Sequence, residues 1–313
     1  MARKPARSFT RKAVTQRSSK PTISIVGPGR LGSALALALH KTGYTIDELI
    51  TRTSGQARGL ARTVGARPVA IHDARLGSDI IWLTVGDSAI RSVAHQLAAN
   101  RGDWTNTIAF HSSGALTSDE LGILRNHGAA VASVHPLMTF TGGAPPSLVD
   151  VLFALEGDAR AVRHAKIIVD SFGAFPVQLK RDDKAAYHAW ASFASPLLVA
   201  LLAAAEPLAP PMNQRSARRA LVQLAEQTLA NYAEHGAPAA FTGPLVRGDV
   251  ATIQKHLNVI GKNAVVRDTY VALAKAALEL LPVGNKEAID TALDQSRGTA
   301  RPNSLARSRN RSD

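Results

Sequence analysis

The sequence predicts a doubly wound α/β domain followed by an all-α domain. Two observations carry that expectation. Between residues 21 and 180, short apolar runs rich in Ile, Val and Leu alternate with helical stretches, the pattern of a parallel sheet covered on both faces. After Lys180 the strand-like runs stop and long Ala/Leu segments take over. We therefore divide the chain into a tail at 1–20, an α/β domain at 21–180, a helical domain at 181–285 and a second tail at 286–313.

The α/β elements read in order. A strand over Thr22–Val26 runs into Gly27-Pro28-Gly29-Arg30-Leu31-Gly32, and an Ala/Leu helix continues to His40. A second strand is expected over Ile46–Arg52, then a short helix over Gln56–Val64. The uninterrupted apolar run Asp79–Val85 suits a central strand buried on both faces. Thr107–Phe110 and Ala130–Val134 are further strands, and Phe153–Leu155 and Pro176–Leu179 flank a helix from Arg160 to Phe172. In the helical domain the expected helices cover about 183–206, 214–234, 248–262 and 266–281.

Composition narrows the classes of function. The chain has 313 residues, 45% of them apolar and only 5% aromatic, so its cores must be built from Ala, Leu, Val and Ile. With no cysteine, disulfides and thiolate metal sites are excluded, and no Asp/His cluster has metal-ligand spacing, so no metal is expected. The absence of cysteine suits a cytoplasmic protein. The net charge of +13 is concentrated at the ends: residues 1–20 hold seven basic side chains and no acid, and residues 297–313 hold five Arg and one Asp. Tails of this composition are expected to be disordered and to touch nucleic acid only weakly. Ala185–Ala205 carries no formal charge over nearly a membrane-spanning length. Its His188, Ser192, Ser195 and central Pro196 favour instead a helix buried within the helical domain, and no membrane association is expected.

Gly27-x-Gly29-x-x-Gly32 lies between a strand and a helix, the context in which this pattern binds dinucleotides. The first glycine allows the tight turn, the second lets the pyrophosphate approach the backbone, and the third lets helix and strand pack closely. This is the signature of a Rossmann-type domain. The residues at the end of the second strand choose the cofactor. Thr51-Arg52-Thr53-Ser54 offers an Arg for a 2′-phosphate and two hydroxyls, with Arg58 one turn on, where an NAD site would place an acid. NADP is therefore expected rather than NAD. The cofactor set is Gly27, Pro28, Gly29, Arg30, Leu31, Gly32, Arg52, Thr53, Ser54, Val85, Asp87 and Ser112.

Polar clusters at later strand ends are candidates for chemistry, because ligands in open α/β sheets bind at those ends. They are Gly86-Asp87-Ser88, His111-Ser112-Ser113-Gly114 and His135-Pro136. His111 and His135 are candidate general acids or bases. Lys184 and His188, spaced i, i+4 on one helical face with Tyr187 beside them, join as catalytic candidates. Ser113, Arg247 and Asp249 are assigned to substrate binding, the Asp orienting the Arg toward a carboxylate; an ion pair that closes a loop is the other reading of Arg247 and Asp249. His256, two turns beyond Asp249, would face the same way.

The segments GPGRLG at 27–32, HSSGAL at 111–116, HPLMTF at 135–140, DKAAYHAWASFAS at 183–195 and FTGPLVRGDVATIQKHL at 241–257 resemble the Rossmann-like proteins whose C-terminal half is the domain of unknown function 2520. That family resembles in turn pyrroline-carboxylate reductase, ketopantoate reductase, prephenate dehydrogenase and the β-hydroxyacid dehydrogenases. The resemblance implies a C-terminal domain like that of 6-phosphogluconate dehydrogenase, a cleft between domains, and a homodimer formed through the helical halves. A lysine placed like Lys184 serves β-hydroxyacid dehydrogenases. Ser195-Pro196 departs from the family, which commonly has Asn there. The expected function is an NADP-dependent oxidoreductase for a small, carboxylate-bearing carbonyl, imine or hydroxy compound. The alternative is a non-catalytic NADP-binding sensor or scaffold, and a deazaflavin-linked hydride exchange is a third reading.

Overall fold

The computed structural model describes residues 20–298, and the chain divides into two compact units that meet at Ser192/Phe193. Both tail segments beyond those limits lie outside the described residues. In the first unit, eight strands form one sheet in the order β3-β2-β1-β4-β5-β6-β7-β8. The strands are β1 (Ile23–Val26), β2 (Ile46–Thr51), β3 (Arg67–Ala70), β4 (Ile80–Leu83), β5 (Ile108–His111), β6 (Ala130–Pro136), β7 (Leu152–Gly157) and β8 (Phe175–Gln178). The first six run parallel, and β7 is antiparallel to β6 and parallel to β8. Helices α1 (Arg30–Lys41), α2 (Arg58–Val64), α3 (Asp87–Asn100), α4 (Gly122–Asn126) and α5 (Ala159–Ser171) make the crossovers.

Every residue of β1, β4 and β5 is buried, as continuous apolar runs in central parallel strands require. One core packs around Ile25, Leu35, Trp82, Phe110 and Phe153. A second, on the opposite face, packs around Leu83, Ile90, Leu97 and Trp104. Strand β3 is an addition to the sequence reading. Its four residues include Pro68 and have no alternation, so pattern alone does not reveal it; pairing with β2 makes it a strand.

The first unit runs past the expected boundary near 180 because α6 (Lys184–Ala194) is tied down at its start. Lys184 is buried among Ser113 and Ser133, and the Tyr187 hydroxyl meets His135.

The second unit holds α7 (Pro196–Ala205), α8 (Gln214–Ala240), α9 (Pro244–Arg247), α10 (Val250–Ile260), α11 (Ala264–Leu280) and α12 (Lys286–Gly298). Its core gathers Ile253, Leu257, Val271, Ile289 and Leu293 from α10, α11 and α12. Two expectations are corrected here. Residues 286–298, assigned to the tail, form α12, because Ile289, Ala292 and Leu293 recur on one face and are buried. The single buried helix at 183–206 is two helices, broken where Ser195 leaves helical geometry (φ −125°, ψ −91°) ahead of Pro196. The stretch Arg181–Leu208 is apolar and long enough to cross a membrane, and its most apolar window is entirely unburied in this chain. Helix α8 likewise buries none of its residues; Gly236 (φ 75°) and Pro238 break its last turn.

Candidate functional site

The parallel sheet aligns the ends of four strands. Val26, Leu83, His111 and Ser133 are register partners across β1, β4, β5 and β6, so the loops that follow them lie side by side. Strands are ~4.8 Å apart, so the end of β6 stands ~14 Å from that of β1.

At the β1 end, Gly27 has φ +80°, and a Cβ there would sit 2.6 Å from Val85 Cγ1. A Cβ on Gly32 would sit 2.4 Å from Thr84 Oγ1 and 2.9 Å from the Gly27 carbonyl. Both positions thus require glycine for packing. Gly29 differs: a Cβ there has no neighbour nearer than the Gly27 carbonyl at 3.9 Å, so its missing side chain leaves open space. Gly29 is the N-cap of α1, no side chain caps that terminus, and its first turn holds no acid. An uncapped helix start beside a bare backbone suits a pyrophosphate, so these residues fit a dinucleotide. Arg52 and Thr53 are exposed at the end of β2, and Arg58 begins α2. The side chain of Ser54 lies outside the described residues.

The next two loops are joined by side chains. Ser113 Oγ donates to Asp87 Oδ2 (2.8 Å) and accepts from the Leu116 amide (3.0 Å). Trp82 Nε1 donates to Ser112 Oγ (2.8 Å). Val85 packs against Gly27. The hydroxyl of Ser113, expected to bind substrate, is thus committed to holding its own loop.

His111 is also corrected from a catalytic to a structural role. It is fully buried, and Nδ1 accepts from the Ser113 amide (3.1 Å). The proton therefore sits on Nε2, which donates to the Thr117 carbonyl (2.9 Å). Burial, reinforced by the Lys184 charge, pushes this imidazole down to about 4, so it is neutral near pH 7.

Lys184 is sealed from solvent, with 1% of its surface exposed. Its Nζ donates to the Ser113 carbonyl (2.9 Å) and to Ser133 Oγ (2.7 Å), and Ser133 donates to the same carbonyl (3.0 Å). Burial brings the amine down to about 8, with Glu156 and Asp87 opposing the shift. Glu156 itself accepts from the amide and hydroxyl of Ser118. The expected proton donor is therefore an anchor that ties α6 to the β5 and β6 ends.

His135 is half-buried at the end of β6. Its Nδ1 lies 2.9 Å from the Tyr187 hydroxyl, and its ring stands edge-on to that of His188 with centroids 6.2 Å apart. Burial, followed by the charge of Lys184, pushes His135 down to about 4. Burial pushes the Tyr187 phenol up to about 12. Gly114 is the surface against which both imidazoles pack. Sequence reading placed Tyr187 only as a neighbour; its i, i+3 spacing from Lys184 was the signal. Gly114 gave no signal, since its constraint is purely steric.

The second-unit candidates stand apart from this cluster in role. Asp249 is the N-cap of α10, accepting from the amide (3.0 Å) and hydroxyl (2.7 Å) of Thr252, so both its oxygens are used. It does not orient Arg247, which is exposed. His256 Nδ1 pairs with the Tyr270 hydroxyl (3.1 Å) between α10 and α11.

The comparisons with known proteins bear on this architecture. The Rossmann-like domain family matches residues 8–136, and the domain of unknown function DUF2520 matches residues 151–277. The chain joins a Rossmann-like domain to a DUF2520 domain. No curated protein matches it. Among solved structures, a candidate NADP oxidoreductase from Bacteroides fragilis is 20% identical, with 82% of this chain and 97% of that one covered and a TM-score of 0.68. A Thermotoga maritima protein is 23% identical, covering 88% and 99%, with a TM-score of 0.65. The Aspergillus terreus reductive aminase, solved with NADPH and ethyl-5-oxohexanoate, is 17% identical, covering 87% and 99%, with a TM-score of 0.62. At these identities the likeness is one of fold.

Proposed function

We propose that this Rossmann-like DUF2520 protein is a cytoplasmic NADP-dependent oxidoreductase acting on a small, carboxylate-bearing carbonyl, imine or hydroxy compound. The observation that carries the reading is the row of strand ends. An uncapped glycine loop stands at β1, and a half-buried Tyr187–His135 pair stands three strands away at β6. Gly27, Gly29 and the first turn of α1 would hold the pyrophosphate, and Arg52 with Thr53 the 2′-phosphate. Bound there, the cofactor supplies or accepts a hydride, and the protein supplies orientation and proton transfer. The fold shared with the NADPH-bound reductive aminase supports the same reading.

Within the site, Tyr187 and His135 handle the proton. A neutral imidazole can accept at one nitrogen while donating at the other, and its hydrogen bond to the phenol gives it a path to a substrate heteroatom. Lys184 fixes the Ser113–Gly114 turn, and its charge adds to the burial that keeps His135 neutral. The test is NADPH and NADH titration of the full chain, followed by NADPH consumption with a panel of 2-oxo acids, ketones and cyclic imines. Turnover with any member supports the enzyme. Tight NADPH binding without turnover on a broad panel supports the sensor reading instead.

The helical unit is proposed to pair with a second copy. Leu224, Leu229, Tyr232 and Leu280 expose 53–78% of their surface, an apolar load that an isolated subunit does not ordinarily carry. Light scattering should give a dimer at micromolar concentration; a monomer rejects the pairing.

A further inference from the structure

Two side chains from two elements converge on one small residue. A Cβ built on Gly114 would lie 2.6 Å from His188 Nδ1, 2.8 Å from His135 Nε2 and 2.9 Å from His135 Cε1. Gly114 is itself buried, and its φ lies outside the left-handed region, so its need for glycine is steric and not conformational. Any larger residue would wedge the two rings apart. The opposite nitrogen of His135, Nδ1, meets the Tyr187 hydroxyl. His188 Nδ1 is buried with no protein hydrogen-bond partner, although His188 as a residue is only half-buried. An imidazole nitrogen buried without a partner is costly unless something outside the protein's own hydrogen bonds satisfies it.

We propose that His188 is a relay that carries protons between solvent and the Tyr187–His135 pair, with Gly114 the spacer that lets the two imidazoles approach. Two nitrogens this close to a common point are no more than one bridging water apart. The transfer balances as a chain of single-proton moves. Tyr187 gives its phenolic proton to the substrate heteroatom, and His135 Nδ1–H returns one to the phenolate oxygen. His135 Nε2 takes a proton from His188 Nδ1–H across the gap, and the outer nitrogen of His188 takes one from water. No electrons move, and in the oxidation direction each step reverses. Lys184 on α6, His111 on β5 and Asp87 at the start of α3 are the other charged or titratable groups acting on His135. All three are already hydrogen-bonded, and none lies on this path.

His188 acts through His135 and is a positioning residue on this account. The inference rests on the oxidoreductase reading, so the experiment separates the two. The full chain, labelled with ¹⁵N in its histidines, is followed by NMR for exchange of the His135 ring proton with water. His188→Gln keeps a polar side chain that cannot pass a proton, and His188→Phe keeps the ring shape. Both should slow His135 exchange at least tenfold while leaving the His135 Nδ1 shift, which reports the Tyr187 bond, unchanged. Gly114→Ala should slow exchange and displace the shifts of both rings. Exchange that is unchanged in the His188→Gln and His188→Phe chains overturns the relay. NADPH is titrated into the same samples. Binding together with unchanged exchange overturns the relay alone, and no binding by the unsubstituted chain overturns the oxidoreductase reading whatever the exchange shows.

Discussion

Gly29 and Gly32 sit three residues apart in one loop, and the geometry gives them opposite fates on substitution by alanine. At Gly32 the new Cβ would fall 2.4 Å from Thr84 Oγ1 and 2.9 Å from the Gly27 carbonyl, the two ends of a 2.7 Å hydrogen bond. The threonine can rotate away, but the carbonyl belongs to the loop backbone. Overpacking of this kind costs about 1–3 kcal/mol and the lost hydrogen bond about 1 kcal/mol. The better helix propensity of alanine returns up to about 1 kcal/mol, so the net loss should be about 1–3 kcal/mol. At Gly29 the φ of −74° suits alanine and the nearest atom is 3.9 Å away, so stability should change by less than about 0.5 kcal/mol. The same methyl group would stand where the pyrophosphate must approach, and NADPH affinity should fall at least tenfold, about 1.4 kcal/mol or more. Urea unfolding and NADPH titration of both variants make the assay. A Gly29→Ala protein that binds NADPH normally, or a Gly32→Ala protein as stable as the parent, refutes the reasoning.

Lys184→Met tests the buried amine through pH. The folded-state value of about 8 lies below the ordinary 10.5, so between those values the unfolded chain holds a proton that the folded chain has shed. Stability should therefore rise with pH across that window, by on the order of 3 kcal/mol, and Lys184→Met should lose that rise in urea unfolding. The imidazoles of His111 and His135, both held near 4, contribute stability that is complete above about 6.5 and is lost as pH falls through 4; the same unfolding experiment should show it. Leu293→Ala, which empties a fully buried site on α12, should cost about 2–5 kcal/mol, whereas a disordered tail would tolerate it unnoticed. Arg52→Asp should erase or reverse the preference for NADPH over NADH, at least about tenfold for a charge-assisted contact worth about 1.5–3 kcal/mol, measured by titration with both cofactors.

What the sequence made legible follows from which signals are local. The glycine loop, the buried strands and the helices at 214–234 and 266–281 rest on short-range pattern, and the structure contains them. Strand β3 and the antiparallel β7 depend on pairing with distant residues, which no window of sequence contains. The site divides in the same way. His135 and Lys184 were recognisable from their places after a strand and at a helix start, and the structure brings them to the same pair of strand ends. Their roles were not legible, because role depends on burial and partners. Lys184 reads as a proton donor until its amine is found sealed against Ser113 and Ser133. His111 and His135 look alike in sequence, two histidines at neighbouring strand ends. Two backbone hydrogen bonds fix the first, and a phenol pairs with the second. Asp249 and Arg247 were read as a pair from spacing, but a carboxylate two residues after an arginine serves equally well as a helix cap, and that is its use here.

The measurement that bears most directly on the whole account is a crystal structure of the full chain with NADP⁺. The account predicts the pyrophosphate at Gly27–Gly32, the 2′-phosphate on Arg52, and the nicotinamide directed along the strand ends toward Ser112–Gly114, with the Tyr187–His135 pair near its reactive carbon. A cofactor bound in the opposite sense, with its nicotinamide at Arg52, or one whose nicotinamide lies remote from Tyr187 and His135, would contradict it.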